Sequence, residues 1–181
     1  MNQKTIIGAL VGGVILFIWQ FLSWTMLNLH GESQKYTAKQ NEILQYLGEN
    51  LEGDGSYFLP TYAPGASQEE MQKLMEESGG KPWATISYHS AMNTSMGLNM
   101  FRGLVVDIVA IAFLIWLMMR FANLSIKDSI VASLCVGFIS YFTGVYTNSI
   151  WFETNTLPDL LDTVISWTLV GSWLGFWLTR K

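Results

Sequence analysis

Charged residues are scarce in this sequence: Asp, Glu, Lys and Arg make up 13% of its 181 residues, whereas hydrophobic residues make up 50%. A soluble domain carries about a quarter charged residues, so we expect much of this surface to face lipid rather than water. The net charge of −4 and the lack of any run of Lys or Arg argue against nucleic-acid binding, which needs clustered basic residues. The single cysteine, Cys135, excludes an intrachain disulfide and every metal motif built on paired cysteines.

The motifs of familiar enzyme classes are also missing. The sequence has no Gly-x-Ser-x-Gly, no phosphate-binding glycine loop and no dinucleotide fingerprint. No pair of residues has a metal-ligand spacing such as His-Glu-x-x-His. We therefore expect a protein that is not an enzyme and that carries no cofactor.

Long apolar segments dominate what is present. A helix needs about 20 apolar residues to cross roughly 30 Å of hydrocarbon, and four segments qualify. They cover residues 5–27, 100–119, 129–152 and 160–178. The sequence therefore predicts a mainly α-helical membrane protein with an anchor helix (1–28), a polar cap (29–99) and a region of three further transmembrane helices (100–181).

The positions of the basic residues predict how the chain crosses the membrane. One set of helix ends carries Lys4, Arg120, Lys127, Arg180 and Lys181. The opposite loop, 152–158, has Glu153 and no basic residue. Arg102, at the same outer side on the second helix, is the one basic residue that does not fit this pattern. By the positive-inside rule both termini lie in the cytoplasm and the cap lies outside. No small-x-small cleavage site follows the first segment, so we expect it to remain as an anchor.

The polar cap has the short amphipathic pattern of an α+β domain. Two helices are expected, one around residues 43–47 and one that begins with the capping box Ser67-Gln-Glu-Glu70. Two strands are expected at 57–59 and 83–88, from their aromatic and β-branched content. About 70 residues with few large apolar side chains form a marginal domain, so we expect the cap to lean on the membrane helices or on a partner.

Small residues line one face of several membrane helices, which permits close approach of a neighbouring backbone. On the fourth helix, a second face carries Asp162, Trp173 and Trp177, so one of its two faces could serve a partner. The predicted packing positions are Gly8 and Gly12 on the first helix, Ser133, Gly137, Ser140 and Gly144 on the third, and Gly171 and Gly175 on the fourth.

Asp107 is the only acid well inside an apolar segment. A carboxylate at such a depth costs several kcal/mol unless it is paired, protonated or hydrated, which makes it a candidate functional residue. The alternative is a structural hydrogen bond to Ser or Thr on the third helix, or to Trp19 or Gln20 on the first.

The two histidines, His30 and His89, are both expected near the outer membrane surface. Together with Glu153, Asp159 and Asp162 they could form a cluster that binds a metal or relays protons. The metal candidates are then His30, His89, Asp107 and Asp162. Against this, Asp159 and Asp162 are equally explained as acids favourable to a helix N-terminus, and the spacing His89-Met92-Met96-Met100, which suits Cu(I), is also that of a packing stripe.

Several segments together resemble a group of small bacterial inner-membrane proteins without assigned function. They are the opening 7–24, with Gly12, Trp19 and Ser23, followed by His30, Tyr57-Phe-Leu-Pro60 and Gly-Leu-Val-Val-Asp107. The resemblance implies a bacterial inner membrane and the layout of anchor, cap and three helices. It implies no activity and no site residue.

These patterns favour an accessory, assembly or interaction subunit of a larger membrane complex. Its expected partners are the lipid bilayer and another membrane protein or a second copy of the chain. One alternative is a metal- or ligand-handling protein with a His and carboxylate site at the outer mouth. Another is a small transporter, although no inverted repeat is evident.

The predicted orientation can be tested by labelling with a membrane-impermeant maleimide from the outer face, in a Cys135→Ser background. We expect Gln68→Cys to be modified and Lys181→Cys to be protected. The reverse pattern would contradict the orientation.

Overall fold

A computed structural model describes residues 3–180, which are mainly helical and contain one small sheet. The chain divides into two compact units. The helical unit comprises the described residues up to Lys35 and from Ser95 onward, and the central unit comprises Tyr36–Thr94. The order of elements is α1 (Gln3–Phe21), α2 (Gln40–Asn50), β1 (Gly55–Leu59), α3 (Gln68–Ser78), β2 (Ala84–Tyr88), α4 (Met96–Met118), α5 (Ile126–Ser140), α6 (Thr147–Phe152) and α7 (Leu157–Thr179).

Two of the long helices continue through a wider, π-helical turn. The first such turn, Leu22–Met26, extends α1, and the second, Tyr141–Tyr146, joins α5 to α6. Among residues 3–180, three helical stretches are long and apolar enough to cross a membrane: Gln3–Met26, Met96–Met118 and Ile126–Phe152. The structure thus supports a membrane protein with three candidate spans.

The fourth predicted span forms α7 but does not belong to that set. With 23 residues, α7 is about 34 Å long at 1.5 Å per residue, so its length suffices. Its first turns carry Asp159 and Asp162, and several Ser and Thr residues follow, all of which lower its hydropathy. A fourth crossing therefore stays a prediction.

One face of α7 lies directly against the backbone of α5. A Cβ added to Gly171 would stand 2.7 Å from the Cα of Ile130, and one added to Gly175 would stand 2.8 Å from the Cα of Ile126. Real Cβ atoms do not approach so closely, so only glycine permits this contact. Ser133 of α5 lies in the same contact between α5 and α7, the α5–α7 seam, and is fully buried.

The other face of α7 lies against α1. The indole nitrogen of Trp173 donates a hydrogen bond to the carbonyl of Gly8 (3.2 Å), and that of Trp177 donates to the carbonyl of Lys4 (2.7 Å). Both faces of α7 are therefore occupied within the chain, and the expectation that one remains free for a partner is wrong.

The packing positions on α1 lie between α7 and α4. A Cβ on Gly12 would stand 2.8 Å from Cγ2 of Ile111, and one on Gly8 would stand 3.1 Å from both Ile115 and Trp177. Gly13, which sequence reasoning did not single out, is just as close to the backbone of Ile108. These contacts hold α4 against α1 around the buried side chains of Ile111, Leu114, Ile115, Val170 and Leu174.

On α5 and its extension, the small residues differ in what they contact. A Cβ on Gly137 would collide with the ring of Trp167, and Ser140 lines a cleft between the helices. Around Gly144, no described atom lies within 4 Å of an added Cβ. Gly144 is thus corrected from a packing position to an open one, because the chain has entered the π-helical turn there and the small-residue face has rotated.

In the central unit, β1 and β2 pair antiparallel from Gly55 opposite Tyr88 to Leu59 opposite Ala84, so the predicted two-stranded sheet is confirmed. The capping box at the start of α3 is also confirmed, since Ser67 and Glu70 exchange hydrogen bonds. The backbone N–H and the hydroxyl of Ser67 both donate to the Glu70 carboxylate, which lowers the pKa of that group below its usual value. None of residues 36–94, all of which the structure describes, is buried.

The glycine contacts give a stability test with an internal control. We expect Gly171→Leu and Gly137→Leu to lower the thermal midpoint in detergent strongly, because overpacking a filled interface costs about 1–3 kcal/mol or more. Gly144→Leu has open space around it and should change the midpoint little. Equal losses in all three variants would show that the α5–α7 seam is not close-packed.

Candidate functional site

A cleft of about 970 Å³ opens in the helical unit, between the end of α1, the first half of α4, the end of α5 and the start of α7. Three carboxyl groups, those of Asp107, Asp159 and Asp162, line it together with the imidazole of His30. Of the described residues that line it, none is Lys or Arg. The cleft therefore combines negative charge with a wall that includes three indole rings, those of Trp19, Trp24 and Trp167.

Asp162 is the most heavily hydrogen-bonded of these acids. Its Oδ1 accepts from Nε1 of Trp19 (3.1 Å), and its Oδ2 accepts from Oγ of Ser23 (2.8 Å). Nε2 of His30 lies 2.9 Å from the same Oδ2 and donates to it in the tautomer that carries the proton on Nε2. All three donors come from α1 and the segment that follows it, so Asp162 ties that end of the chain to α7.

The local chain path explains how His30 reaches this carboxylate. After the π-helical turn, in which the Leu27 amide bonds to the Leu22 carbonyl at 2.8 Å, the chain reverses at Asn28. Asn28 has φ 49°, a left-handed conformation that asparagine tolerates better than most residues. The reversal places the His30 ring parallel to the ring of Trp24, with 4.1 Å between centroids. His30 is consequently held on two sides, by stacking and by Asp162.

Asp107 has a different environment in the same cleft. It is only 6% exposed, and its Oδ1 accepts a hydrogen bond from Nε2 of Gln20 at 3.2 Å. Its Oδ2 is buried and has no hydrogen-bond partner among residues 3–180. A buried polar atom without a partner costs about 1–3 kcal/mol, and more when it is charged. One carboxylate oxygen of Asp107 therefore lacks a hydrogen-bond partner, whereas both oxygens of Asp162 have one.

Buried apolar side chains follow the cleft-lining residues along α4 and α7. One turn beyond Asp107 on α4 comes Ile111, followed by Leu114 and Ile115, and one turn beyond Ser166 on α7 comes Val170. None of these four apolar residues is more than 2% exposed. The cleft therefore lies at one end of the helical unit, beside a buried apolar core.

The structure brings together three of the four residues proposed from the sequence as metal candidates: His30, Asp107 and Asp162 all line the cleft. His89, the fourth, belongs to the central unit, where it lies 3.9 Å from Asp54 and 3.3 Å from Oγ of Ser87. In the part of the chain that the structure describes, no group of three or more His, Cys, Asp or Glu residues could hold a metal ion.

The sequence predicts some of the residues that surround the two acids. Trp19, Ser23 and His30 share one helical face, and Gln20 was one of the proposed partners of Asp107. The stacking of Trp24 on His30 was not foreseen, because it depends on the chain reversal at Asn28. Trp167 carries no sequence signal beyond its position on α7.

Comparison with family models, with curated proteins and with solved structures finds no match. The resemblance to small bacterial inner-membrane proteins therefore stays a prediction.

The saturated carboxylate gives a prediction about stability. Asp162→Ala should destabilise the protein strongly, because it leaves three donors without their acceptor, each at a cost of about 1–3 kcal/mol where buried. Asp159→Ala is the matched control, since Asp159 lies one turn earlier on α7 and its side chain makes no hydrogen bond or ion pair within residues 3–180. Thermal unfolding in detergent measures both. A smaller loss for Asp162→Ala than for Asp159→Ala would contradict the network.

Proposed function

We propose that this chain is an integral membrane protein that binds a small ligand in the cleft of its helical unit. The observation that carries the proposal is the Oδ2 atom of Asp107, buried in the cleft without a hydrogen-bond partner among the described residues. A ligand bound in the cleft would supply the missing partner, since the nearby donors Trp19, Ser23 and His30 already serve Asp162.

The form of the cleft supports the same conclusion. Ligand sites are typically concave, preformed, and lined by apolar and aromatic groups with a few converging polar ones. Here three indole rings form part of the wall, and several of the polar groups are held in place by stacking or hydrogen bonds. An acid inside a membrane-spanning helix is a functional candidate by default, because its burial is costly.

The buried apolar core beyond the cleft favours binding over transport. A transporter needs a route that can open to either side of the membrane, often through broken helices. Ile111, Ile115 and Val170 instead fill the interior beyond the cleft and are fully buried. The transporter alternative therefore has no support in the described residues, and the absence of enzymatic activity stays a prediction.

We place the protein in a bacterial inner membrane, with α7 as a fourth span, both termini in the cytoplasm and the central unit outside. The distribution of Lys and Arg supports this orientation. The cleft opens at the helix ends that lead into and out of residues 36–94. In this orientation its mouth faces the outer side of the membrane.

A role as an accessory or interaction subunit is the second candidate. It is favoured by the central unit, in which no residue is buried and in which Tyr36, Tyr46, Met75 and Met92 are each at least 65% exposed. A partner membrane protein or a second copy of the chain would cover these side chains. A free face of α7 does not support this role, because α1 and α5 occupy its two faces.

Ligand binding can be tested by a ligand-observed NMR screen of small amphiphilic molecules against the protein in lipid nanodiscs. Ala110→Phe should fill the cleft that Ala110 lines and abolish binding. Val109→Phe, one residue earlier on the same helix and exposed, is the control and should bind like the wild type. If no compound distinguishes Ala110→Phe from Val109→Phe, the cleft does not bind ligands.

A further inference from the structure

We infer that the ligand of the cleft is an organic cation with an N–H donor, namely a protonated amine attached to an apolar or aromatic body. The inference rests on the proposed function and names the ligand class of the same site. Three features of the cleft select this chemistry: its charge, the unpaired atom within it, and its size and walls.

The charge of the lining has one sign. Asp107, Asp159 and Asp162 all contribute carboxyl groups, and Lys and Arg are absent from the lining residues described between 3 and 180. An anionic ligand would meet these carboxylates without a compensating base. A cation instead reduces the cost of holding an ionised Asp107 between membrane helices.

The atom that lacks a partner specifies a donor. Oδ2 of Asp107 is buried, and a carboxylate oxygen accepts hydrogen bonds. A protonated amine supplies a positive charge and an N–H group to the same atom, in a charge-assisted hydrogen bond. A quaternary ammonium group lacks the N–H and would leave Oδ2 without a hydrogen bond.

Size and walls exclude a bare ion. The cleft of about 970 Å³ is much larger than a dehydrated metal ion, and the described residues offer no group of three ligating side chains. The Trp24 ring, stacked on His30 by one face, is still 49% exposed. Aromatic surface of this kind attracts cations and packs against apolar groups.

An amine can come from a free molecule or from the headgroup of an ethanolamine phospholipid. The headgroup carries a phosphate beside its ammonium group, and that phosphate would approach the same carboxylates. The charge of the lining therefore favours the free amine.

The test compares two probes of nearly equal size, 2-phenylethylamine and 2-phenylethanol, which differ in charge. Binding to the protein in phosphatidylcholine nanodiscs is followed by titration calorimetry. We expect the wild type to bind the amine at least about tenfold more tightly than the alcohol, because the amine alone brings a charge to Asp107. Asp107→Asn should remove most of that preference while leaving the alcohol's affinity nearly unchanged, and Glu77→Gln, which removes an exposed acid of the central unit, should behave like the wild type.

The outcomes separate the two proposals. Equal affinity of the wild type for amine and alcohol would overturn the cation inference and leave ligand binding intact. The same conclusion follows if neither probe binds while other compounds in the NMR screen do, whereas failure of every compound would overturn both. The wild-type comparison decides even if Asp107→Asn does not fold. Replacing half of the lipid by phosphatidylethanolamine identifies the source: a weaker apparent affinity for the amine indicates a competing lipid headgroup, and an unchanged one indicates a free amine.

Discussion

The organisation of the helical unit depends on one carboxylate, that of Asp162, which accepts hydrogen bonds from Trp19, Ser23 and His30. These donors lie at the end of α1 and just beyond it, so a single side chain of α7 fixes the path of the chain where it leaves the membrane helix. The indole hydrogen bonds of Trp173 and Trp177 to the α1 backbone continue the same interface towards the opposite end. Together they hold α1 against α7 along the length of both helices.

Asp107 and Asp162 therefore have different environments in the cleft. Asp162 is saturated by donors of its own chain and is a structural residue, although its pairing with a histidine is also what a metal or proton site would show. Asp107 receives one hydrogen bond, from Gln20, and its second oxygen is buried without a partner among residues 3–180. An exchange of the two roles would require Trp19, Ser23 and His30 to turn away from α7. The distinction makes Asp107, rather than Asp162, the acid that the proposed ligand would contact.

Periodicity and local signals were sufficient to predict the long helices, the two-stranded sheet and the Ser67 capping box, because each depends on residues close together in the sequence. A partner for Asp107 was also predictable, since an acid in an apolar run needs a compensating partner wherever the helix packs, and Gln20 supplies one. The open environment of Gly144 and the stacking of Trp24 on His30 were not predictable. The first follows from a π-helical turn, which rotates the residues beyond it relative to a regular helix. The second depends on the chain reversal at Asn28. Neither leaves a signal in the spacing of residues. The occupation of both faces of α7 likewise depends on which helices become neighbours, and a helical wheel of α7 alone does not contain that information.

The account is tested most directly by a double-mutant cycle between Ser23 and Asp162, with unfolding free energies measured for Ser23→Ala, Asp162→Ala and the double variant in the same detergent. If Asp162 is the shared acceptor, the two substitutions remove one interaction, and the cycle should give a coupling energy of about 1 kcal/mol or more. Effects that add to within about 0.3 kcal/mol would indicate independent sites. That result would contradict the claim that Asp162 fixes the end of α1 and leaves Asp107 as the acid available to a ligand.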